Sequence, residues 1–594
     1  MHTLKLCRPP LHAVLLAVGT LCVTGQALAQ SSRARPFEAN SQMVVAANPH
    51  ATAAGVEMLE AGGSAVDAAI AVQAVLSMVE PQSSGIGGGA FLLHYGPGES
   101  ASAGASANAG ATRGELSAYQ GRERAPAAGH RDMFLAEDGS ALPFPQVAWG
   151  GASVGVPGVM RMFELAHADH GRLPWAQLFE PAIRLAEQGF EISPRLYFLL
   201  DRSANFAQPR GFRSHYYDED GAALPVGTVL VNQDYAQSLR AIARNGADEM
   251  YEGDLANAIV AAVADNEISS GLLSLDDMRA YEAEKLEPLC TPYRQWTICG
   301  PQPPSSGGVT TQQILGIAGH FEFDPSRMAD VVHVIAEAGR LAFADRAMFL
   351  ADPEFVDVPV AALLSPQYLR ARAALIDPAA VIDNVSAGEP LPRAAWNFAA
   401  SPVSELASTS HFSIVDRFGN AVSMTTSVQS TFGSLLMVGG FLLNNQLTDF
   451  STDRPADGRR LANEPDARKR PLSSMSPTIV FDEQDRIRLI VGSPGGTRII
   501  GYVVQAIVGV LDLGLDVQQA VAAPHYLARF GAVELEEGED VAALRRDLEA
   551  RGHNVQVRSL NSGLHAIAFE YDDDGNARMF GGVDPRREGV AAGD

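Results

Sequence analysis

Cysteine is scarce in this chain: four occur among 594 residues. Neither CxxC nor HExxH is present, which excludes the common zinc frameworks, and no metal or cofactor is expected. Long apolar runs are missing too. The run Ala13–Val23 has 11 residues, well short of the roughly 20 that span a bilayer. Lys5 and Arg8 precede it and Ala27-Leu28-Ala29 follows it, so residues 1–29 read as a secretory signal cut before Gln30. No lipid-anchor cysteine stands at that point. A periplasmic or secreted protein with no membrane span is expected. Basic residues are outnumbered, 44 to 69, for a net charge of −25; loss of the signal leaves −27. An acidic surface repels nucleic acid and anionic membranes, so neither is expected as a partner. With 46% hydrophobic residues and no dominant polar tract, the chain is globular and long enough for a large core.

Cys7 and Cys22 leave with the signal, and Cys290 and Cys299 remain. A hairpin with Arg294-Gln295 at its tip would place these two opposite each other in an oxidising compartment. Arg-Gln is a poor two-residue turn, so a bridge and a pair of free thiols both stay open.

Residues 51–79 carry a helical apolar period, broken at Gly62-Gly63, with Ser64 as N-cap. A glycine-rich turn into a strand follows at 81–95, then a Gly/Ala/Ser-rich loop at 96–114. From about 155 to 380 amphipathic helix dominates. The stretch 384–408 is rich in Pro, Ser and Ala without a period and reads as a flexible connection. Strands are expected at 411–416, 421–428, 476–482 and 487–493, helices at about 497–513 and 540–551, and two further strands. No repeat of solenoid length occurs. The fold class is α+β with a sizeable sheet.

Three short patterns compete for the chemistry. Gly85-Ile86-Gly87-Gly88-Gly89-Ala90 fits a dinucleotide-binding regex, but there the order must be strand then helix, and here it is reversed. Gly151-Ala152-Ser153-Val154-Gly155 fits the nucleophile elbow of a serine hydrolase, although PFPQVAWG before it makes a weak strand and the regex is short for a chain with 56 glycines. Thr409-Ser410-His411 opens a strand directly after the flexible connection. Around it lie many hydroxyls (Ser423, Thr425, Thr426, Ser427, Ser430, Thr431), then Asn444-Asn445-Gln446, Asp449 and Pro471-Leu472-Ser473-Ser474. Gly492-Ser493-Pro494-Gly495-Gly496-Thr497 joins a strand to a helix, a junction whose N–H groups suit an anion, an oxyanion or a plain turn.

Taken together these motifs resemble the γ-glutamyltransferase (γ-glutamyltranspeptidase) family of N-terminal nucleophile hydrolases. The resemblance covers nearly the whole chain beyond the signal. It is carried by GVEMLEAGGSAVDAAIAVQAVLSMVEP, GRERAPAAGHRDMFL, PQPPSSGG, TSHFSIVDRFGNAVSMTTSVQSTFGS, FLLNNQLTDFS, RPLSSMSPTIV, GSPGGTRII and DPRREG. It implies a four-layer αββα sandwich and a precursor that cuts itself between Ser408 and Thr409. A large subunit, 30–408, and a small one, 409–594, would stay together. It implies Thr409 as nucleophile, Ser427 steadying it, and Gly495 and Gly496 supplying an oxyanion hole. By the same resemblance, Arg122, Ser473 and Ser474 would hold the α-carboxylate of a γ-glutamyl substrate. Gln446 and Asp449 would hold its α-ammonium, with water or an amino acid or peptide as acceptor. The chemistry is coherent: an α-amino group, with a pKa of about 7.7–8.0, is a base carried by the nucleophile's own residue.

Two departures bear on specificity. Gln429 stands where well-known transpeptidases have an asparagine beside the α-ammonium. The stretch 451–470 is short and lacks Phe, Tyr and Trp, where many relatives carry an aromatic lid; an open cleft favouring hydrolysis is expected. Relatives with open clefts include cephalosporin acylases, which remove a glutaryl-type group, and that reading is the nearest alternative. A serine hydrolase using Ser153 and a non-catalytic exported binding protein are the readings outside this machinery.

Overall fold

The computed structural model describes residues 35–98, 114–206, 209–391, 396–401, 408–538 and 541–594. The expected signal, residues 99–113 of the Gly/Ala/Ser-rich loop, and residues 392–395 and 402–407 of the connection lie outside the described residues.

Fourteen strands build two large sheets. In chain order, the first seven are β1 (Phe37–Ala39), β2 (Met43–Ala46), β3 (Gly89–Gly96), β4 (Glu115–Gly121), β5 (Glu284–Leu286), β6 (Leu289–Tyr293) and β7 (Trp296–Gly300). The rest are β8 (Ser410–Val415), β9 (Ala421–Ser427), β10 (Thr478–Phe481), β11 (Ile487–Gly492), β12 (His565–Tyr571), β13 (Ala577–Val583) and β14 (Val590–Gly593). One sheet runs β14-β2-β8-β9-β3-β4-β5 and the other β1-β13-β12-β11-β10-β7-β6. Every pairing within them is antiparallel.

Alternation along these strands makes four layers. Successive side chains of a strand point to opposite faces. Met43, Val45, Leu93 and Val415 of the first sheet meet Ile479, Ile490, Ile567 and Phe569 of the second in one apolar cluster. Their neighbours Val44, Ala46, Phe412, Ile414, Val422 and Met424 turn the other way and pack under helices α1 (Pro49–Glu60), α2 (Ala65–Val79) and α3 (Val159–His170). On the second sheet Val480, Leu489, Val491, Ala566 and Ala568 pack under α4 (Ser306–Ala318), α5 (Met328–Phe349) and α6 (Ile499–Leu511). Each large aliphatic side chain so buried contributes about 1.5–3 kcal/mol. This is the αββα sandwich that the resemblance implied, with two sheets where the period analysis expected one.

Local signals explain the elements around the site. Every residue of α2 is buried, as expected of a helix that is apolar all round. Its start is fixed by a capping box: Asp67 N–H donates to Ser64 Oγ (3.2 Å) and Ser64 N–H donates to Asp67 Oδ2 (2.8 Å). The β8–β9 hairpin turns at Asp416, whose Oδ1 accepts from the N–H groups of Phe418 and Asn420, both at 2.9 Å.

Two sequence expectations are revised. The connection is not flexible throughout: Phe398–Ala399 pairs with Arg460–Leu461, and Trp396 packs edge-on to Phe349 at 5.1 Å. Two aromatic rings in that stretch give it an anchor that its Pro and Ser content concealed. The PFPQVAWG stretch, read as a weak strand, forms a short helix at Phe144–Ala148 with Pro145 in its first turn, the one helical position where proline is favoured.

Cys290 and Cys299 pair across β6 and β7 and are joined by a disulfide. The turn succeeds because Arg294 takes φ 52°. Its guanidinium is held by Asp512 and by the Phe321 carbonyl (2.8 Å).

Candidate active site

Strand register gathers the candidate residues at one end of the first sheet. Ser410 pairs with Thr426, Ser427 with Gly89, and Ala90 with Gly121. Thr409 just before β8, Ser427 at the end of β9 and Arg122 just past β4 therefore lie side by side. The close approach rests on small residues. A Cβ on Gly88 would sit 2.1 Å from the Ser427 carbonyl oxygen, and one on Gly87 would sit 2.2 Å from that of Leu442. The Gly85–Ala90 run is thus a backbone-packing device between helix and strand, and no dinucleotide loop.

Thr409 is buried, and its Oγ1 donates to Ser427 Oγ at 3.2 Å. Its φ is 135°, a region that L-residues with branched side chains rarely occupy and that costs on the order of 1–3 kcal/mol. The surroundings hold it there. Arg587 Nη1 donates to the Thr409 carbonyl at 2.9 Å, and the Ser408 hydroxyl donates to the Gln82 carbonyl. Ser427 Oγ also accepts from the Gln429 N–H at 2.8 Å.

A narrow cavity opens beside Thr409, with room for about one water, about 10 Å³. Arg122, Ser427, Gln429, Gln446, Asp449, Ser473, Met475 and Gly496 line it with Thr409, while Ser474 and Gly495 lie outside its lining. The open cleft expected from the short 451–470 stretch is not found in the uncleaved chain. The space is filled by the buried pair Arg122–Asp449, Nη2 to Oδ2 at 2.7 Å, and the stretch is pinned down. Lys469 Nζ donates to the carbonyls of Ala462 (2.7 Å) and Glu464 (3.0 Å), and Asn463 Nδ2 donates to that of Asp449 (2.8 Å).

Arg122 is aimed by its other bonds. Nε donates to the Pro471 carbonyl (3.1 Å) and Nη2 to that of Leu472 (2.7 Å). Gln429, itself at φ 83°, donates through Nε2 to Asp449 Oδ1 at 3.0 Å. Its Oε1 and that of Gln446 are buried acceptors without a hydrogen-bond partner among the described residues. Gln446 itself is carried on a turn fixed by Asn444, whose Oδ1 accepts from the Gln446 N–H (3.1 Å) and whose Nδ2 donates to the Gly87 carbonyl (2.9 Å). Ser473 Oγ accepts from the Met475 N–H at 3.2 Å. Ser474 lies one residue on, its Oγ accepting from Arg346 Nη2 at 3.0 Å. Gly495 (φ 140°) and Gly496 (φ 58°) open a helical turn that no side chain caps. Positive φ at both positions favours glycine.

The Ser153 reading finds no machinery. Ser153 is fully buried and its Oγ has no hydrogen-bond partner among the described residues; a serine nucleophile needs a base in contact.

The γ-glutamyltranspeptidase family profile matches residues 51–594. The chain belongs to the γ-glutamyltranspeptidase family. It is 34% identical over 610 residues to a glutathione hydrolase proenzyme of Bacillus subtilis, covering 100% of this chain and 99% of that one. It is 35% identical over 546 residues to the acylase ACY 1 proenzyme of a Pseudomonas species, covering 91% of each. Among solved structures, the cephalosporin acylase from Bacillus halodurans superposes with a TM-score of 0.80 at 28% identity, covering 94% of this chain and 97% of that one. The protein is accordingly an enzyme of the N-terminal nucleophile hydrolase superfamily, in a family whose members include both glutathione hydrolases and acylases. No helix among the described residues is long and apolar enough to cross a membrane.

Two residues of this γ-glutamyltranspeptidase-family site escaped the sequence reading. Glu123 is wholly buried behind Arg122 (Oε2 to Nη1, 3.5 Å), and burial pushes its carboxyl up to about 8. Arg587 is buried between Thr409 and Glu80 (Oε2 at 3.8 Å), and burial lowers its guanidinium to about 9. Both sit inside quoted motifs, GRERAP and DPRREG. A charged residue in a motif says nothing of which buried partner it meets until the sheets close.

Proposed function

We propose that this chain is exported, cuts itself between Ser408 and Thr409, and then cleaves γ-glutamyl amides of the glutathione type through an acyl-enzyme on Thr409. The carrying observation is the position of Thr409: a strained, buried threonine, in contact with a second hydroxyl, on the wall of a cavity whose other walls carry one guanidinium and one carboxylate.

In the precursor, Thr409 Oγ1 attacks the Ser408 carbonyl carbon. The C–N bond breaks as the nitrogen takes a proton, and water hydrolyses the ester so formed. Relief of the φ 135° conformation favours this cut. The fragments 30–408 and 409–594 then form the working enzyme, with residues 1–29 removed on export. The new α-amino group takes the proton of Thr409 Oγ1 as that oxygen attacks the substrate's amide carbon. Gly495 and Gly496 donate to the oxyanion, each such donor lowering the barrier by about 2.7–4 kcal/mol. Ser427 orients the nucleophile.

The grip on substrate follows from charge. An α-amino-acid end is a zwitterion, and Arg122 and Asp449 neutralise each other at 2.7 Å. Inserted between them, the α-carboxylate takes Arg122 with Ser473 and Ser474, and the α-ammonium takes Asp449. The bare amide oxygens of Gln429 and Gln446 accept its remaining protons.

One observation favours the glutaryl reading instead. Both Asp449 oxygens are engaged, Oδ1 by Gln429 and Oδ2 by Arg122. That arrangement leaves less demand for an ammonium. Rates on γ-glutamyl-p-nitroanilide and glutaryl-p-nitroanilide decide. A γ-glutamyl preference of tenfold or more supports the proposal; equal rates, or a glutaryl preference, select the acylase reading.

A further inference from the structure

A second cleft lies behind the glycine loop. It measures about 590 Å³, within the range of small-molecule sites. Two cations, Arg340 and Arg529, and two carboxylates, Asp383 and Glu534, stand in its walls beside Phe530 and Ile382, with Arg498 and Arg558 just behind Glu534. It is built on a small sheet apart from the two large ones: Tyr526–Ala528, Val533–Glu536 and Val555–Arg558. Parallel pairing sets Glu534 beside Gln556. Period-2 alternation sends these two into the cleft, while Val533, Leu535 and Val555 join the apolar core beneath.

The charge here runs against the rest of the molecule. Three guanidinium groups converge on one carboxylate. Glu534 pairs with Arg498 (Nε to Oε2, 2.9 Å), with Arg529 (Nη2 to Oε2, 3.1 Å) and with Arg558 (Nη1 to Oε1, 3.4 Å). Arg340 adds a fourth cation at the wall, paired with the buried Glu337 at 2.7 Å. Two positive charges around Glu534 stay uncompensated by it, in a protein of net charge −25. Burial, with the neighbouring Arg498, lowers the Arg529 guanidinium in spite of Glu534. Apolar surface lies next to these cations: the Phe530 ring is 44% exposed, and Val381 and Ile382 stand in the same wall.

The cleft is wired to the catalytic loop. Arg529 Nη1 donates to Thr497 Oγ1, and Thr497 directly follows Gly495-Gly496. Arg498, the next residue, is held by both Glu534 oxygens. A ligand that pulls on Arg529 therefore pulls on the turn that presents the two glycine N–H groups.

We propose that this cleft binds a small carboxylate with an apolar body, its charge on Arg529 and Arg340 and its body on Phe530, and that occupancy is transmitted to Gly495-Gly496 through Thr497. Guanidinium N–H groups donate well to a carboxylate, and the flanking ring and aliphatic chains give its body an apolar surface.

Ligand-observed NMR of the full enzyme with phenylacetate, and with the neutral phenylacetamide as control, tests the binding. Phenylacetate is expected to saturate with a Kd at least tenfold below that of the amide. Phe530→Ala, a change at an exposed ring, and Arg529→Met are each expected to weaken it at least fivefold. Ser473→Ala in the catalytic cavity leaves it unchanged. Equal binding of acid and amide, or loss in Ser473→Ala but not in Phe530→Ala, overturns the site. Saturating phenylacetate is further expected to change kcat at least twofold with KM unmoved in the native enzyme and not in Phe530→Ala; an unmoved kcat overturns the coupling. The binding arm needs no turnover, so it stands or falls separately from the γ-glutamyl reading.

Discussion

Thr409 Oγ1 and Ser427 Oγ face each other at 3.2 Å across the open end of the β8–β9 hairpin, both buried. The contact fixes the rotamer of the proposed nucleophile in the uncut chain. Thr409→Ala is expected to give one band on a denaturing gel where the native protein gives two, of 379 and 186 residues if the signal has left. Two bands from the alanine variant would place the cut elsewhere.

Ser427→Ala removes one partner of that contact and leaves the other hydroxyl buried. A lost hydrogen bond of this kind is worth about 0.5–1.5 kcal/mol. Self-cleavage followed by gel over time, and kcat on γ-glutamyl-p-nitroanilide, should both fall about tenfold, with KM little changed.

Asp449→Asn tests the grip. The pair with Arg122 is buried on both sides, and breaking such a pair leaves an uncompensated charge at a cost of about 3–5 kcal/mol. The variant should lose 100-fold or more in kcat/KM on the γ-glutamyl substrate. Its loss on the glutaryl analogue should be at least tenfold smaller.

Gly88→Ala introduces a Cβ 2.1 Å from the Ser427 carbonyl oxygen. Backbone on both sides leaves no flexible group to yield. The expected result is a chain that stays uncut and melts several degrees lower, read by gel and thermal scan.

Glu123 gives a pH signature. Its folded carboxyl titrates at about 8, raised by burial, against about 4.3 when unfolded. Between these values the unfolded chain has released a proton that the folded chain keeps. Stability from this group is complete below about pH 4.3 and declines as pH rises, until the folded carboxyl ionises near 8. Glu123→Gln mimics the protonated form and should flatten the fall in melting temperature between pH 6 and 8. A parallel fall in both proteins would mean that Glu123 is ionised throughout.

Much of this architecture could be read before folding, and the exceptions share a cause. The apolar period of α2 and its Ser64 cap are local signals, and each forms where expected. Most of the candidate site residues, too, line one cavity, with Ser474 and Gly495 outside its lining. Arg294 was read as a poor turn residue because its compensation, Asp512, is 218 residues away. Phe144–Ala148 reads as a weak strand because five residues are too few to show a helical period, and Pro145 fits the first turn of a helix only once that helix is known. Glu123 and Arg587 acquire their partners only when the glycine run, the C-terminal strands and β8 close on one another. Hairpins such as β8–β9 and β12–β13 join neighbours in the chain, but the order of these hairpins within each sheet had no local signal, since the seams β2–β14, β2–β8, β9–β3 and β1–β13 pair strands hundreds of residues apart.

That order has a mechanical outcome for the proposed cut. In the first sheet β2, from the part before Thr409, is zipped between β14 and β8, and β9 is zipped to β3. In the second, β13 borders β1 and β10 borders β7. Five hydrogen-bonded seams therefore stitch the two products together, two of them on either side of a single strand. Severing one peptide bond frees an amino group but releases no piece. The halves can part only by unravelling both sheets, so for this enzyme dissociation and denaturation are a single event.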